Sequence, residues 1–341
     1  MYTPPAFRDD GALPLIATEP AGACMVCGGN RSVPKASGFD FELETCRNRW
    51  TFQSCMACGH VQLDPRPAPQ TLETIYPPTY YSYAMRDTLS PVAIAGKAFL
   101  DRAKFRGFLR LLRRPARSYM DIGCGDFKYL DLMHREGLAP ENLYGLELDE
   151  AAVSRARKKG YQAFHARAET ATGIPRGAID VATMFHVIEH VADPGAVLHS
   201  VSRWLSPDGI LVIETPNVAA LDAQLFARRY WGGYHIPRHW HLFTPEGITR
   251  LLEQNGFRVR AIRYQTGHSF WLYSLHHAIR YNPILPSAML SRLFDPLRSL
   301  PMLVLVTALD KLRALLGMRT SAMLVIAERA TPDADANHRH G

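Results

Sequence analysis

The chain has 341 residues, 47% of them hydrophobic, which is enough to bury a full α/β core plus a smaller module. No uninterrupted apolar run approaches the ~18 residues of a spanning helix. Asp9 and Asp10 stand where a secretory leader would be apolar, so none is expected and a cytoplasmic location is. The net charge of +7 is moderate, and much of it comes from Arg102, Lys104, Arg106, Arg110, Arg113, Arg114 and Arg117.

Residues 1–20 contain four prolines and read as a loose terminus. Residues 21–65 contain two Cys-x-x-Cys pairs, Cys24/Cys27 and Cys55/Cys58, each followed by glycine. The two-residue gap lets each pair turn back, so that four thiolates face one ion. This pattern predicts a tetrahedral structural zinc with its coordination filled by protein. The competing reading, a pair of disulfides, needs an oxidising compartment. Cys46 and His60 read as bystanders, and Cys124 as a packing residue. Short strands are expected near 39–43 and 50–53.

Residues 66–118 read as a helical linker or lid. A turn-rich stretch runs from Tyr76 through Tyr80, Tyr81 and Tyr83. Apolar residues at 99, 105, 108, 109, 111 and 112 then interleave with the basic cluster as an amphipathic helix. Its basic face reads either as solvated surface packed on the next domain or as an attractor for an anionic substrate.

From 119 to 329 strand and helix patterns alternate. Strands are expected at 118–122, 143–148, 161–164, 181–185, 210–214, 257–264 and 322–328. Helices are expected at 128–136, 150–159, 194–205 and 245–255. The alternation predicts an α/β, Rossmann-like sheet of seven parallel strands with right-handed crossovers. Residues 266–318 read as an insertion between the last two strands. Its apolar positions 305, 306, 309, 312, 315 and 316 have helical spacing, suited to core or dimer packing or to a membrane face. Residues 330–341 read as a disordered tail.

The first strand runs into Asp121-x-Gly123-x-Gly125, and Glu147 lies 22 residues further on, ending the second strand. Glycines there let the backbone take positive φ and approach a ligand. The acid sits where a ribose-binding carboxylate sits in a nucleotide-binding βαβ unit. No third glycine completes G-x-G-x-x-G, and a leading Asp suits a cationic ligand better than a pyrophosphate.

On these residues the chain resembles the class I S-adenosylmethionine-dependent methyltransferases. Asp180 to Pro194, with His186-Val-Ile-Glu189-His190, resembles the strand-four segment of the ubiquinone-biosynthesis O-methyltransferase-like subgroup. Residues 205–213 resemble the entry to strand five. The resemblance implies S-adenosyl-L-methionine held at Tyr81, Asp121, Gly123, Gly125, Glu147, Leu148, Ala168, Glu169 and Phe185. In it Glu147 takes the ribose, Glu169 lies by the adenine amino group, and Tyr81 or Tyr83 closes over the methionine end. A base is needed for a hydroxyl or protonated amine acceptor. The candidates are His186, Glu189, His190, His239 and His241, the first three just after strand four. Residues 186 and 190 are four apart, so a helical turn there would present both rings on one face.

The segment from Tyr230 to Pro245 is aromatic and histidine-rich, with Gly232-Gly233, and reads as a flexible acceptor-binding lid. The order of zinc module, Tyr76-Pro-x-x-Tyr80-Tyr81 and methyltransferase domain is also similar to bacterial sugar methyltransferases. Many of those have a longer C-terminal domain, so oxygen or nitrogen acceptors are favoured here over carbon. The favoured acceptor is a small molecule or glycan, with a nucleotide- or lipid-linked sugar foremost. Membrane contact and oligomer formation stay open. An RNA methyltransferase is a second reading. It has against it a nearly neutral module, with Arg31, Lys35, Arg47 and Arg49 facing Asp40, Glu42 and Glu44 in composition. A non-catalytic cofactor-binding subunit is the third.

Overall fold

The computed structural model describes residues 13–77, 91–281, 290, 293–295 and 299–330, without the side chains of 91–95 and 268. The expected tail and residues 78–90, with Tyr80, Tyr81 and Tyr83, lie outside the described residues. No described helix is long and apolar enough to cross a membrane.

The N-terminal strands are β1 (Thr18–Glu19), β2 (Ser32–Gly38), β3 (Trp50–Cys55), β4 (Val61–Leu63) and β5 (Arg66–Pro67). The strand expected at 39–43 is instead a turn. The Asp40 carboxylate accepts from the Leu43 and Thr45 amides and from the Thr45 hydroxyl, at 3.1, 3.0 and 2.6 Å, and closes the loop. The real strand is β2, hidden in the sequence by Pro34 and a register shift between Pro34 and Ala36.

The larger sheet is built from β6 (Tyr119–Ile122), β7 (Leu143–Glu147), β8 (Gln162–His165), β9 (Ile179–Phe185), β10 (Leu205–Pro216), β12 (Phe257–Gln265) and β13 (Ala322–Arg329). Their spatial order is β12-β13-β10-β9-β6-β7-β8. All of β6 and most of β9 are buried, as expected of strands covered on both faces. The helices between them start where side chains can cap them. Asp149 caps Glu150–Lys158, Asp193 caps Pro194–Trp204 and Thr244 caps Pro245–Gln254, each worth about 1 kcal/mol.

The expected all-parallel sheet needs one correction. β13 runs antiparallel to both β10 and β12. The insertion leaves the carboxyl end of β12 and stays there, anchored where the Gly267 amide donates to Asp310 Oδ2 at 2.8 Å. The returning strand therefore re-enters from that end, which forces the antiparallel sense without a crossover.

Helix α1 (Pro91–Leu109) buries Phe105 and Phe108 on one face of the sheet, with Leu130, Met133 and Val153. Val197, Leu198, Trp204, Ile248 and Leu251 cover the other face. The helix Leu300–Leu315 forms within the insertion, but its apolar stripe faces outward. Leu305, Leu309, Leu312, Leu315 and Leu316 are all exposed, and the anchor is the buried Asp310.

The small and large parts share a core. Trp50, Phe52 and Leu63 pack with Trp231, Tyr234, Ile236, Trp240 and Leu242. β11 (His241–Leu242) pairs with β4, giving a four-stranded sheet of order β11-β4-β3-β2.

Candidate cofactor and acceptor site

β6 ends at the glycine turn on the carboxyl edge of the sheet, between two neighbouring parallel strands. Gly123 has φ 73°, and a Cβ there would meet Val187 Cγ2 at 2.5 Å. Gly125 has φ 51° with open space where its Cβ would be. The Gly125 amide donates to Glu147 Oε2 at 2.7 Å, and the Leu148 and Asp149 amides donate to Oε1 at 2.7 and 3.1 Å. The turn and the acid are thus one construction: backbone amides aim the carboxylate across the crevice. Leu148 is exposed beside it, Ala168 is buried, and Glu169 and Phe185 are half-buried.

Asp121 is buried beneath this turn. Its Oδ1 accepts from the Thr183 hydroxyl at 2.8 Å, and that hydroxyl also bonds Tyr119 at 2.6 Å. Burial, with some repulsion from Glu147 and Asp126, pushes Asp121 up to about 7 despite the Thr183 bond. A cation arriving above it would favour its ionised form.

β9 ends at Phe185, and His186 then takes a left-handed φ of 54°. Such a conformation is costly for a residue with a Cβ. Here the His186 amide donates to the Glu214 carbonyl at 2.8 Å. No helical turn follows; a bend and a turn carry the chain to the helix at Pro194. The imidazole sits between two carboxylates, its Nδ1 3.1 Å from Glu189 Oε1 and its Nε2 3.8 Å from Glu214 Oε1. Desolvation opposes the proton, but the bonds and charges of Glu189 and Glu214 outweigh it and push His186 up. Burial raises Glu214, yet His186 and the Lys104 ammonium hold it down to about 2. A protonated His186 has no lone pair for an incoming proton, so this arrangement suits it to carry charge.

The other rings behave differently. Burial pushes His190 down to about 4 and holds His239 well below its ordinary value. His190 Nδ1 donates to the Arg238 carbonyl at 2.9 Å, and the Tyr76 hydroxyl lies 3.1 Å from the same nitrogen. His239 Nδ1 donates to the Gly233 carbonyl at 2.8 Å, and the two rings meet edge to face at 4.6 Å. The Glu189 carbonyl accepts from the Trp240 and His241 amides, at 2.7 and 3.1 Å, and so ties this loop to the end of β9. The structure therefore gathers His186, Glu189, His190 and His239. His241 turns away and bonds His60 at 3.2 Å, both rings buried.

The loop expected to be a flexible lid is a packed wedge. Residues 231–243 are all buried. Its glycines serve close approach: a Cβ on Gly233 would meet the Trp231 ring at 2.3 Å, and one on Gly232 the Phe270 carbonyl at 2.6 Å. Arg238, fully buried, makes a bidentate pair with Asp40 at 2.8 and 3.0 Å and donates to the Ile75 carbonyl at 2.7 Å. His235 pairs with Glu42. Glu214, Thr183 and Arg238 were not singled out from the sequence, and Lys104, Tyr76 and Asp40 entered there only through the basic cluster, the turn-rich motif and the charge of the module. Only Glu214 carried a signal, as the acid near the end of an expected strand on the ligand edge.

The basic cluster is largely spent on this domain. Arg102 and Arg106 pair with Glu136, Lys104 with Glu214, and Arg114 with Asp180.

The cysteine pairs come together. Cys24 and Cys58 sulfurs are 3.5 Å apart, as are those of Cys27 and Cys55, and all four lie within 4.8 Å of one another. Zinc–sulfur bonds of about 2.3 Å in a tetrahedron require S···S separations of roughly 3.8 Å. None of the six cysteines is in a disulfide. Gly28 and Gly59, at φ 70° and 72°, close the two turns, their amides donating to the Cys24 and Cys55 carbonyls at 2.7 and 2.8 Å. The Val26 and Cys27 amides donate to the Cys24 sulfur, and those of Ala57 and Cys58 to the Cys55 sulfur. The donor set and its spacing fit a four-thiolate ion.

Residues 97–262 match the family model of a methyltransferase domain. The ubiquinone biosynthesis O-methyltransferase of Caulobacter vibrioides is 35% identical over 144 residues, which cover 39% of this chain and 56% of that protein. The protein of the same name from Bradyrhizobium diazoefficiens is 29% identical over 157 residues, covering 43% and 60%. The chain thus spans less than two thirds of the length of these relatives. A solved S-adenosylmethionine-dependent methyltransferase from Archaeoglobus fulgidus is 20% identical, with a TM-score of 0.43 over 68% of this chain and 94% of that one. The family match over residues 97–262, the sheet order and the glycine turn joined to Glu147 support a class I S-adenosylmethionine-dependent methyltransferase domain.

Proposed function

We propose that the protein transfers the methyl group of S-adenosyl-L-methionine to an oxygen or nitrogen of a small-molecule or glycan acceptor. A nucleotide- or lipid-linked sugar is the favoured class. One juxtaposition carries the reading: the amide-held Glu147 carboxylate and the His186–Glu189–His190–His239 cluster stand at the same edge of one sheet. Glu147 holds the ribose and Asp121 favours the positive methionine end. The sulfonium is already a good leaving group, so holding donor and acceptor in line supplies much of the rate. The cluster receives the acceptor and promotes loss of its proton, while His186 and Lys104 balance the charges of Glu189 and Glu214.

In this reading Cys24, Cys27, Cys55 and Cys58 hold a structural zinc, and the free thiols suit a reducing, cytoplasmic setting. The test is incubation with labelled S-adenosylmethionine and separate pools of nucleotide sugars, lipids, other small molecules and RNA. Label in a sugar or another small molecule is the expected result. Label confined to RNA would replace this reading with the nucleic-acid one. Cofactor binding without any labelled product would mark a non-catalytic subunit.

A further inference from the structure

We propose that the outer face of the helix Leu300–Leu315 is the surface through which two copies of this chain pair. The helix is amphipathic in the inverted sense. Its single acid, Asp310, is buried, with Oδ2 accepting from the Gly267 amide at 2.8 Å and Oδ1 from Arg313 at 2.9 Å. Arg313 also donates to the Arg319 carbonyl at 2.9 Å and lies over the Trp271 ring. The polar side thus holds the helix to its own domain, and the apolar side is left in solvent.

That outer side has the pattern of a helix–helix seam. Met302, Leu305, Leu309, Leu312 and Leu316 follow one another at steps of three, four, three and four residues. This is the repeat that sets the side chains of one helix as knobs into the holes of another. The four leucines of the run are each exposed by half or more, and Leu300, Val304 and Leu315 widen the stripe. Together these residues present on the order of 800 Å2 of apolar surface, beyond the largest patch of most monomers and equal to one partner's share of a standard protein interface.

Charge selects the occupant. A helix that lies in a bilayer surface has a polar face rich in lysine and arginine, with aromatic rings among its buried residues. Residues 300–316 contain no aromatic residue, and Lys311 is the one exposed charged residue of the helix, Arg313 being tied to Asp310. An uncharged seam is instead self-complementary. In a pair about a two-fold axis the same leucines serve both copies, and no like charges meet at the centre.

The test is sedimentation equilibrium of the full chain, purified with zinc, across micromolar concentrations. The mass of two chains is expected. Leu309→Glu, and separately Leu305→Glu combined with Leu312→Glu, should raise the dissociation constant of the pair at least about thirtyfold, the loss expected of a central anchor. These side chains are exposed in the single copy, so circular dichroism should show both variants folded. Leu225→Glu, at an exposed leucine elsewhere, should leave the mass unchanged. Flotation with vesicles of phosphatidylcholine and phosphatidylglycerol is the second arm. A wild type that stays at the mass of one chain, or folded variants that pair as tightly as it does, overturns the proposal. A single-chain wild type whose flotation is lost in Leu309→Glu assigns the face to a bilayer instead. No acceptor or cofactor enters the measurement, so its outcome is independent of the methyl-transfer reading.

Discussion

Arg238→Met should show how firmly the N-terminal module and the sheet are joined. Arg238 and Asp40 are both fully buried and form two short charge-assisted bonds across 198 residues of sequence. Removing the guanidinium leaves the Asp40 carboxylate in the core, which costs roughly 3–5 kcal/mol. Asp40→Asn keeps the shape of the 40–45 turn and removes the charge. The double variant should therefore cost less than the sum of the singles, with a coupling of about 2 kcal/mol. Urea unfolding of zinc-loaded protein can measure this by tryptophan fluorescence, because Trp50, Trp231 and Trp240 share one core. Circular dichroism reports the larger sheet, and the two transitions should coincide. The pair also carries a pH signature. Desolvation would raise Asp40, but the Arg238 charge holds it below its ordinary value. That stability is present above about pH 4 and is lost as the pH falls through the depressed folded value. A single substitution costing less than about 1 kcal/mol, or strictly additive effects, would refute this account.

Glu147→Ala should weaken S-adenosylmethionine binding by about a hundredfold, the loss of two hydroxyl bonds to a charged acceptor at about 1.5 kcal/mol each; calorimetry showing unchanged affinity would count against the ribose assignment. For Asp121, held up to about 7, cofactor affinity should rise with pH through that value as the carboxylate ionises, and Asp121→Asn should abolish the rise. Gly123→Ala forces a Cβ to within 2.5 Å of Val187 at φ 73°, so cofactor binding should fail and stability drop by about 1–3 kcal/mol, read by calorimetry and thermal melting. Chelation should loosen residues 231–243 together with the cysteine turns, because β4 pairs with β11; hydrogen exchange that leaves 231–243 protected would contradict this.

The local signals needed no tertiary context. The glycine turn, the Cys-x-x-Cys spacing, the helix starts at 150, 194 and 245 and the buried apolar runs of β6 and β9 each depend on a few neighbouring residues, so sequence alone was sufficient. What joins distant segments could not be read that way. The sense of β13 followed from where the insertion re-enters the sheet. The loop around Gly232-Gly233 has a lid's composition, yet the module's Trp50 and Phe52 cover it and turn its glycines into packing contacts. The apolar stripe at 305–316 has core spacing and faces outward because Asp310 anchors the helix from its other side. His186, Glu189 and His190 were visible as a cluster, but that His186 sits between Glu189 and Glu214, and that the Arg238 carbonyl fixes the proton on His190 Nδ1, only the fold decided. A residue type states which protons it can carry; its neighbours in space, brought together from remote parts of the chain, decide which it keeps.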